Sequence, residues 1–311
     1  IFWELMAIGS TVVVWSAGTR ESARAGLRYA LVHLVGGVVL MAGILAHVFA
    51  LQAQGAPDPL ALSHFAFGAA GFEALSFGAG QAAPWLILLG VLVNAAAPPL
   101  GSWLADAYPE ASESGTVFLS AFTTKTAVYV LMVMFAGTEL LVYVGLAMAL
   151  YGIVYAILEN DMRRILAYSI VNQVGFMIAG IGIGTELALN GAAAHAFTHI
   201  IYKALLLMSA GVVLSKTGKR KCTDLGGLYH SMPITMICGI VGALAISSFP
   251  LTSGFVTKSM VNQAAADQHL ALAWFVLTAA SAGVFLHAGI KFPWFVFFQK
   301  DSGLRPPDPP W

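Results

Sequence analysis

Residues 188–214 read ALNGAAAHAFTHIIYKALLLMSAGVVL, an apolar run long enough to cross a bilayer as one helix, which needs about 20 residues. His195, His199 and Lys203 are spaced i, i+4 and i+8, so they share one helix face. A lysine at the bilayer centre costs roughly 2.5–3.5 kcal/mol, and histidine titrates near neutral pH. The stripe therefore predicts a proton relay. A purely structural role remains an alternative, as does a zinc site, although no third ligand is evident.

The composition of the whole chain extends this prediction to the remaining segments. Of the 311 residues, 59% are hydrophobic and 10% charged, whereas soluble domains carry about 25% charged residues. This excludes a soluble enzyme, a disordered protein and a nucleic-acid binder, and predicts an all-α polytopic membrane protein in contact with lipid. About nine transmembrane helices are expected, at 1–17, 26–51, 84–106, 115–135, 139–158, 165–183, 188–214, 232–264 and 269–290.

The basic residues predict an orientation. Twelve of the fifteen fall on one side of the nine-span layout, namely Arg20, Arg24, Arg28, Arg163, Arg164, Lys216, Lys219, Arg220, Lys221, Lys291, Lys300 and Arg305. The positive-inside rule makes these loops and the C-terminal tail cytoplasmic, in a bacterial-type inner membrane. The acidic loop on the same side, with Asp106, Glu110 and Glu113, is expected to be a solvated turn. Residues 55–82, rich in glycine, are expected to form an external loop with one interfacial helix.

Two spans contain helix-breaking residues. The third contains Pro98 and Pro99, and the eighth, which is long for one straight helix, contains Pro250 and Gly254. Proline removes a backbone donor and clashes with the preceding turn. Paired breaks at membrane depth are typical of transporters built from inverted repeats. A simple proline kink is the alternative.

Further polar residues lie at apparent membrane depth. Lys125 and Lys258 are mid-span lysines, and Glu4 is an acid near the start of the chain. Intramembrane ionisable residues mark ion pathways, so these three are candidates for proton or ion translocation. Asn94 is interpreted either as an interhelical hydrogen bond or as part of the path lining, and His33 either as packing or as path lining.

No cofactor is expected. The chain has no Walker loop, no haem-attachment CxxCH and no dinucleotide-binding glycine pattern, and Cys222 and Cys238 are interpreted as unpaired thiols without a metal. The first residues lie inside an apolar run without an initiator methionine, and the last form a proline-rich loop. These ends predict a fragment of a longer protein.

Several motifs resemble one known family. They are LENDMRRILAYS at 158–169 with QVGFM at 173–177, HAFTHIIYKALLL at 195–207 with SAG at 209–211, WLADA at 103–107, and the segment 249–258. The chain resembles the antiporter-like membrane subunits shared by Mrp-type cation/proton antiporters, respiratory complex I and membrane-bound hydrogenases. Residues 94–108 and 292–311 favour the antiporter D-subunit branch.

The resemblance implies two inverted five-helix repeats, each with one discontinuous helix. Residues 1–135 would form the first repeat, truncated at its N-terminus, and 136–311 the second repeat with a cytoplasmic tail. The family's ion-translocating residues match Glu4, Lys125, His195, His199, Lys203 and Lys258. The family usually has a lysine where this sequence has Asn94, which cannot titrate. A glutamate–lysine switch in its usual form is therefore not expected here. Three alternatives stay open: Glu4 acts alone or through water, Lys125 becomes its partner, or this half of the chain serves a cation path rather than a proton path.

Three functions follow from the sequence. The first is a subunit of a multisubunit Na⁺/K⁺–proton antiporter, a transporter rather than an enzyme, with other membrane subunits as partners. The second is a non-redox, proton-translocating subunit of a complex I-like quinone oxidoreductase or a membrane-bound hydrogenase. The third, suggested by Asn94, is a structural subunit without transport.

Overall fold

The computed structural model describes residues 2–66, 75 and 82–310, and these residues confirm an all-α fold. The described chain contains eleven α-helices, and α11 continues into π-helical turns at Phe285–Lys291 and Trp294–Phe298. The helices are α1 (Phe2–Trp15), α2 (Arg20–Ala53), α3 (Ala82–Asn94), α4 (Ser102–Ala107), α5 (Glu113–Met134), α6 (Glu139–Leu158), α7 (Met162–Ile183), α8 (Glu186–Thr217), α9 (Pro233–Ile246), α10 (Ser253–Asp267) and α11 (Ala271–Val284).

The helix lengths agree with a multi-pass membrane protein. Among the described residues, six helices are long and apolar enough to span a bilayer: α2, α5, α6, α7, α8 and α11 with its π-helical extension. The other three predicted spans correspond to shorter apolar helices, α1, α3 and α9. The total of nine spans therefore stays a prediction.

The prediction of two discontinuous helices is confirmed. The first interruption separates α3 from α4 and contains Pro98 and Pro99, joined by a cis peptide bond. The second separates α9 from α10 and contains Pro250. Ser248 and Leu251 turn the chain there with positive φ angles of 60° and 69°. Each interruption leaves backbone carbonyls at a helix C-terminus without intrahelical partners.

The prediction that Gly254 lies in the second break is wrong. Gly254 is the second residue of α10, after the interruption has ended. A Cβ atom at Gly254 would clash with the backbone carbonyl oxygen of Ala245 on α9. The glycine is therefore needed for the close approach of the two half-helices rather than for the break itself.

Helix α7 lies at the centre of the bundle and is almost completely buried. It packs against α6 on one side and against α5, α8 and α10 on others. The contact with α6 runs over Gly145 and Gly152 of α6 and Gly175 and Gly182 of α7. Small residues let two helix backbones approach closely, which is how helices associate where lipid replaces water.

The basic face of the molecule, defined by loops 16–19, 108–112, 159–161 and 218–232, is held together by ion pairs. Arg220 donates to Asp161 and, at 3.0 Å, to Glu110. Arg28 pairs with Asp106 at 2.5 Å. Asp106 and Glu110 therefore do not form the free solvated turn that the sequence predicts: both are paired with arginines from distant parts of the chain, although the Arg28–Asp106 pair stays partly exposed.

Cys222 is buried within this face, and Cys238 lies in α9; both are free thiols. Burial raises the pKa of the Cys222 thiol to about 11. At pH 8 roughly one thiol in a thousand is then ionised, and the thiolate is the reactive form.

We expect N-ethylmaleimide to label Cys222 slowly in the folded protein at pH 8 and rapidly after denaturation. The thiolate fraction grows about tenfold per pH unit below the pKa, so labelling should accelerate towards pH 10. Mass spectrometry of the Cys238→Ser variant measures this site alone. Rapid labelling of the folded protein at pH 8 would contradict the buried position.

The described residues test two sequence-based predictions only in part. The predicted boundary between repeats, 135/136, falls between α5 and α6, and the division into repeats stays a prediction. Within the predicted loop 55–82, the structure places one short 3₁₀ helix at Leu62–Phe65. Residues 67–74 and 76–81, where the rest of that loop would lie, are outside the described residues.

Candidate functional site

The stripe on α8 faces the inside of the bundle. His195, His199 and Lys203 are each at most 1% exposed. The opposite face of α8 carries large apolar side chains at Phe197 and Ile201, which are more than half exposed. The sequence folds locally in this way because the apolar side chains suit lipid, so the 3.6-residue period turns the titratable side chains inward.

His195 is held by hydrogen bonds from two neighbouring helices. Its Nε2 atom lies 3.1 Å from Oε1 of Gln173 on α7, and its Nδ1 atom lies 2.7 Å from Oγ1 of Thr257 on α10. The Tyr202 hydroxyl also donates to Gln173 Oε1, at 3.2 Å. Both ring nitrogens are therefore partnered by polar groups in a buried site.

A chain of amides fixes which nitrogen of His195 carries a proton. Asn172 Nδ2 donates to the carbonyl oxygen of Ala149 at 2.8 Å, which turns its Oδ1 towards Gln173 Nε2. Gln173 therefore presents its carbonyl oxygen to the ring. An amide oxygen only accepts, so Nε2 of His195 is the donor and the neutral ring has its lone pair at Nδ1.

Lys258 lies beside this network and is hydrogen-bonded to the backbone at the second helix break. Its Nζ donates to the carbonyl oxygen of Ile246, the last residue of α9, at 2.7 Å. The same Nζ lies 5.1 Å from the centre of the Phe176 ring, which is 6.3 Å from the His195 ring. A carbonyl at a helix C-terminus and an aromatic face both attract an ammonium group.

Lys125 on α5 is also a buried lysine whose amine donates to a backbone carbonyl. Its Nζ donates to the carbonyl oxygen of Ser120 at 2.8 Å and to Oγ1 of Thr124 at 3.3 Å. Helix α5 packs against α8. Lys125 lies close enough to His199 and Lys203 to interact with them electrostatically, so the α5 lysine and the α8 stripe belong to one cluster of titratable groups.

The centre of the cluster is fully buried and lacks hydrogen-bond partners among the described residues. His199 has none at either ring nitrogen, and Lys203 has none at Nζ. The rings of His199 and Tyr202 are in edge contact at 5.3 Å. Buried polar atoms without partners cost free energy and call for an explanation, for which a proton path with water is one candidate.

The structure does not bring Glu4 or Asn94 into this cluster. Glu4 is half-buried on α1, and its carboxylate occupies the space left by the missing side chain of Gly37 on α2. Asn94 ends α3, is buried, and has no hydrogen-bond partner at either amide atom within the part of the chain that the structure describes. The interhelical hydrogen bond that is one interpretation of Asn94 is therefore not formed with any described residue.

His33 lies in an aromatic group on the α2–α4 side of the molecule. Its ring stacks on Tyr29 at 3.9 Å and meets the edge of Trp103 at 4.4 Å. Its Nδ1 donates to the carbonyl oxygen of Tyr29 at 2.9 Å. These contacts favour the packing interpretation of His33 over path lining.

Sequence reasoning missed three polar residues. Gln173 and Thr257 bond to His195, and His287 is fully buried in the π-helical turn after α11, with Nδ1 donating to Gly283. Gln173 and His287 each stand in an apolar run, which is the signal that could have found them. Among the described residues, no three of His, Cys, Asp and Glu lie together as metal ligands, so the zinc alternative gains no third ligand.

Known proteins share this fold and sequence pattern. A probable K⁺/H⁺ antiporter subunit of Rhizobium meliloti is 30% identical over a 330-residue alignment that covers the whole chain and 32% of the relative. The solved Mrp complex from Dietzia sp. matches with a TM-score of 0.85 and 26% identity, covering 96% of this chain and 56% of the other.

An archaeal respiratory complex, the membrane-bound sulfane sulfur reductase, matches with a TM-score of 0.85 and 25% identity, covering 99% of this chain and 63% of the other. The chain thus spans 32% to 63% of the length of these relatives. The family model described as the transmembrane region of NADH:quinone oxidoreductase and Mrp antiporter matches residues 1–285, and the chain belongs to this family of membrane subunits.

Proposed function

We propose that this chain is the ion-translocating part of a multisubunit monovalent cation/proton antiporter. The observation that carries the proposal is the buried cluster formed by Lys125, His195, His199, Lys203 and Lys258 on three helices. Buried ionisable groups in a membrane protein are costly and are kept where ions move. The likeness to the Mrp complex and to a probable K⁺/H⁺ antiporter of Rhizobium meliloti supports the antiporter interpretation.

Protons move along the cluster by transfers between neighbouring basic groups, through transient water. Charges repel strongly where water is scarce, so a proton on one group disfavours a proton on the next. His195, His199 and Lys203 each interact electrostatically with both Lys125 and Lys258, so the α8 stripe lies between the two outer lysines and lets them influence each other. A proton arriving at one end therefore favours release at the other.

Glu4 acts at a distance from this cluster. Its half-buried carboxylate against Gly37 can bind a proton or a monovalent cation, and the Asn94 amide, unpartnered among the described residues, offers an oxygen ligand in the same repeat. Because Asn94 cannot titrate, we propose that this half of the chain serves cation movement more than proton movement. The basic face is proposed to lie at the cytoplasmic side of the inner membrane.

A second candidate is a proton-translocating subunit of a redox-driven complex. The likeness to the sulfane sulfur reductase favours it, because that protein is a respiratory membrane complex. The same buried residues would carry protons, and a partner subunit would supply the driving reaction. The third candidate is a structural subunit, which requires that the buried cluster take no part in transport.

Everted membrane vesicles that carry the full-length protein with its partner subunits separate these candidates. A proton gradient is imposed and its collapse is followed after adding Na⁺ or K⁺. Antiport predicts cation-dependent collapse that is absent from vesicles without this protein. If the complex is shown to be assembled and neither cation collapses the gradient, antiport is contradicted and the redox-driven pump is favoured.

A further inference from the structure

Thr257 has one hydroxyl hydrogen and two acceptors within reach. Its Oγ1 lies 2.7 Å from His195 Nδ1 and 3.1 Å from the carbonyl oxygen of Ser253. Threonines in helices commonly donate to the carbonyl four residues back, so the bond to Ser253 alone is ordinary. Thr257 differs from an ordinary helical threonine because its hydroxyl also contacts a histidine nitrogen.

The two neighbours correspond to two protonation states of His195. When the ring is neutral, Nε2–H donates to Gln173 and the Nδ1 lone pair accepts from the Thr257 hydroxyl. When the ring is protonated, Nδ1–H donates to Thr257 Oγ1, and the hydroxyl donates to Ser253 instead. In both states every polar atom of the pair has a partner, and only one hydroxyl hydrogen rotates.

We propose that Thr257 is a positioning residue for proton transfer at His195, and that its hydroxyl reverses direction as the ring gains and loses a proton. This rests on the proposed function. In the step, a lysine ammonium or a hydronium ion loses a proton, a new N–H bond forms at Nδ1, and no electrons are exchanged. Release reverses these changes.

The position of Thr257 gives this reversal a structural context. Ser253 is the first residue of α10, directly after the second helix break, and Thr257 precedes Lys258. The hydroxyl thus joins the α8 histidine to the half-helix that carries the terminal lysine. The other titratable groups facing His195 are Lys258, Lys125, His199 and Tyr202, but among the described residues it is Thr257 that is hydrogen-bonded to Nδ1.

Two variants separate the hydroxyl from the shape of the side chain. Thr257→Val keeps the shape and removes the hydroxyl, whereas Thr257→Ser keeps the hydroxyl and removes a methyl group. Losing a hydrogen bond to a charged group predicts a fall in proton-coupled transport of roughly tenfold or more for Thr257→Val. The alkaline limb of its pH profile should move to lower pH, since the protonated ring loses more than the neutral ring. Thr257→Ser should stay within about twofold of wild type, because its hydroxyl keeps the charged hydrogen bond.

A second measurement does not depend on transport. Nitrogen-15 NMR of the histidine-labelled protein, with His195→Gln to assign the signal, reports the hydrogen bonding of Nδ1. We expect the His195 signal to change in Thr257→Val and to be preserved in Thr257→Ser. If antiport fails while this pattern holds, the proposed function is wrong and the Thr257 assignment stands.

The inference is overturned by either of two results in the folded protein. One is a wild-type rate, pH profile and His195 signal in Thr257→Val. The other is equal impairment of Thr257→Val and Thr257→Ser, which would mean that packing rather than the hydroxyl matters.

Discussion

Replacement of Lys203 by methionine is expected to impair ion transport strongly while leaving the chain at least as stable as the wild type. Lys203 is fully buried and its Nζ has no hydrogen-bond partner among the described residues. A buried amine without a partner destabilises the fold, and methionine fills a similar volume without that cost. Transport, in contrast, loses a titratable group that interacts electrostatically with both Lys125 and Lys258.

The two expected effects have opposite signs, because transport falls while stability is unchanged or rises. The rate of proton transport should fall at least about tenfold in this variant, because a positioned proton-transfer group typically contributes about a hundredfold or more. The thermal unfolding temperature of the purified complex should be unchanged or higher. Vesicle transport and thermal unfolding are measured on the same preparation.

Lys216→Met is the matched control, because it removes a lysine from the same helix at its exposed end. Transport in this variant should equal wild type. Wild-type transport in Lys203→Met would remove the cluster from the path and favour the structural-subunit candidate. Loss of folding in Lys203→Met would show that the amine has a partner that stabilises it.

Local sequence patterns predicted most of the architecture. Apolar runs longer than about 18 residues identify spanning helices because backbone groups in lipid must be paired within the helix. The spacing of His195, His199 and Lys203 predicted a common face, and the structure turns that face inward. Pro98 and Pro250 predicted the two interruptions, since proline acts locally on its own helix.

Contacts between distant parts of the chain could not be predicted in this way. Gln173 and Thr257 reach His195 from positions 22 and 62 residues away, and nothing in local spacing encodes that meeting. The same limit applies to Arg220, which pairs with Glu110 across 110 residues. Gly254 is predicted in a break because glycine favours turns, whereas tertiary packing against Ala245 is what requires it.

The contact between α6 and α7 is where a single methyl group should matter most for folding. A Cβ atom at Gly175 would lie 2.6 Å from the carbonyl oxygen of Gly145 and 2.7 Å from the backbone nitrogen of Ala149. Both atoms belong to the backbone of α6, so no side-chain rotation can relieve the contact. Because α7 is the buried centre of the bundle, a displacement of this pair also moves α5, α8 and α10.

We expect Gly175→Ala to destabilise the protein by about 1–3 kcal/mol, and Gly175→Val by more, through overpacking. Gly9→Ala is the matched control, since nothing lies within 4 Å of a Cβ atom there and alanine favours a helix. Size-exclusion chromatography of detergent-solubilised protein and thermal unfolding give the folded fraction. Equal yields and unfolding temperatures for Gly175→Val and Gly9→Ala would contradict the close α6–α7 packing. The ranking wild type, Gly175→Ala, Gly175→Val reflects the packing against α6, because neither substitution touches a titratable group and helix propensity alone would place alanine above glycine.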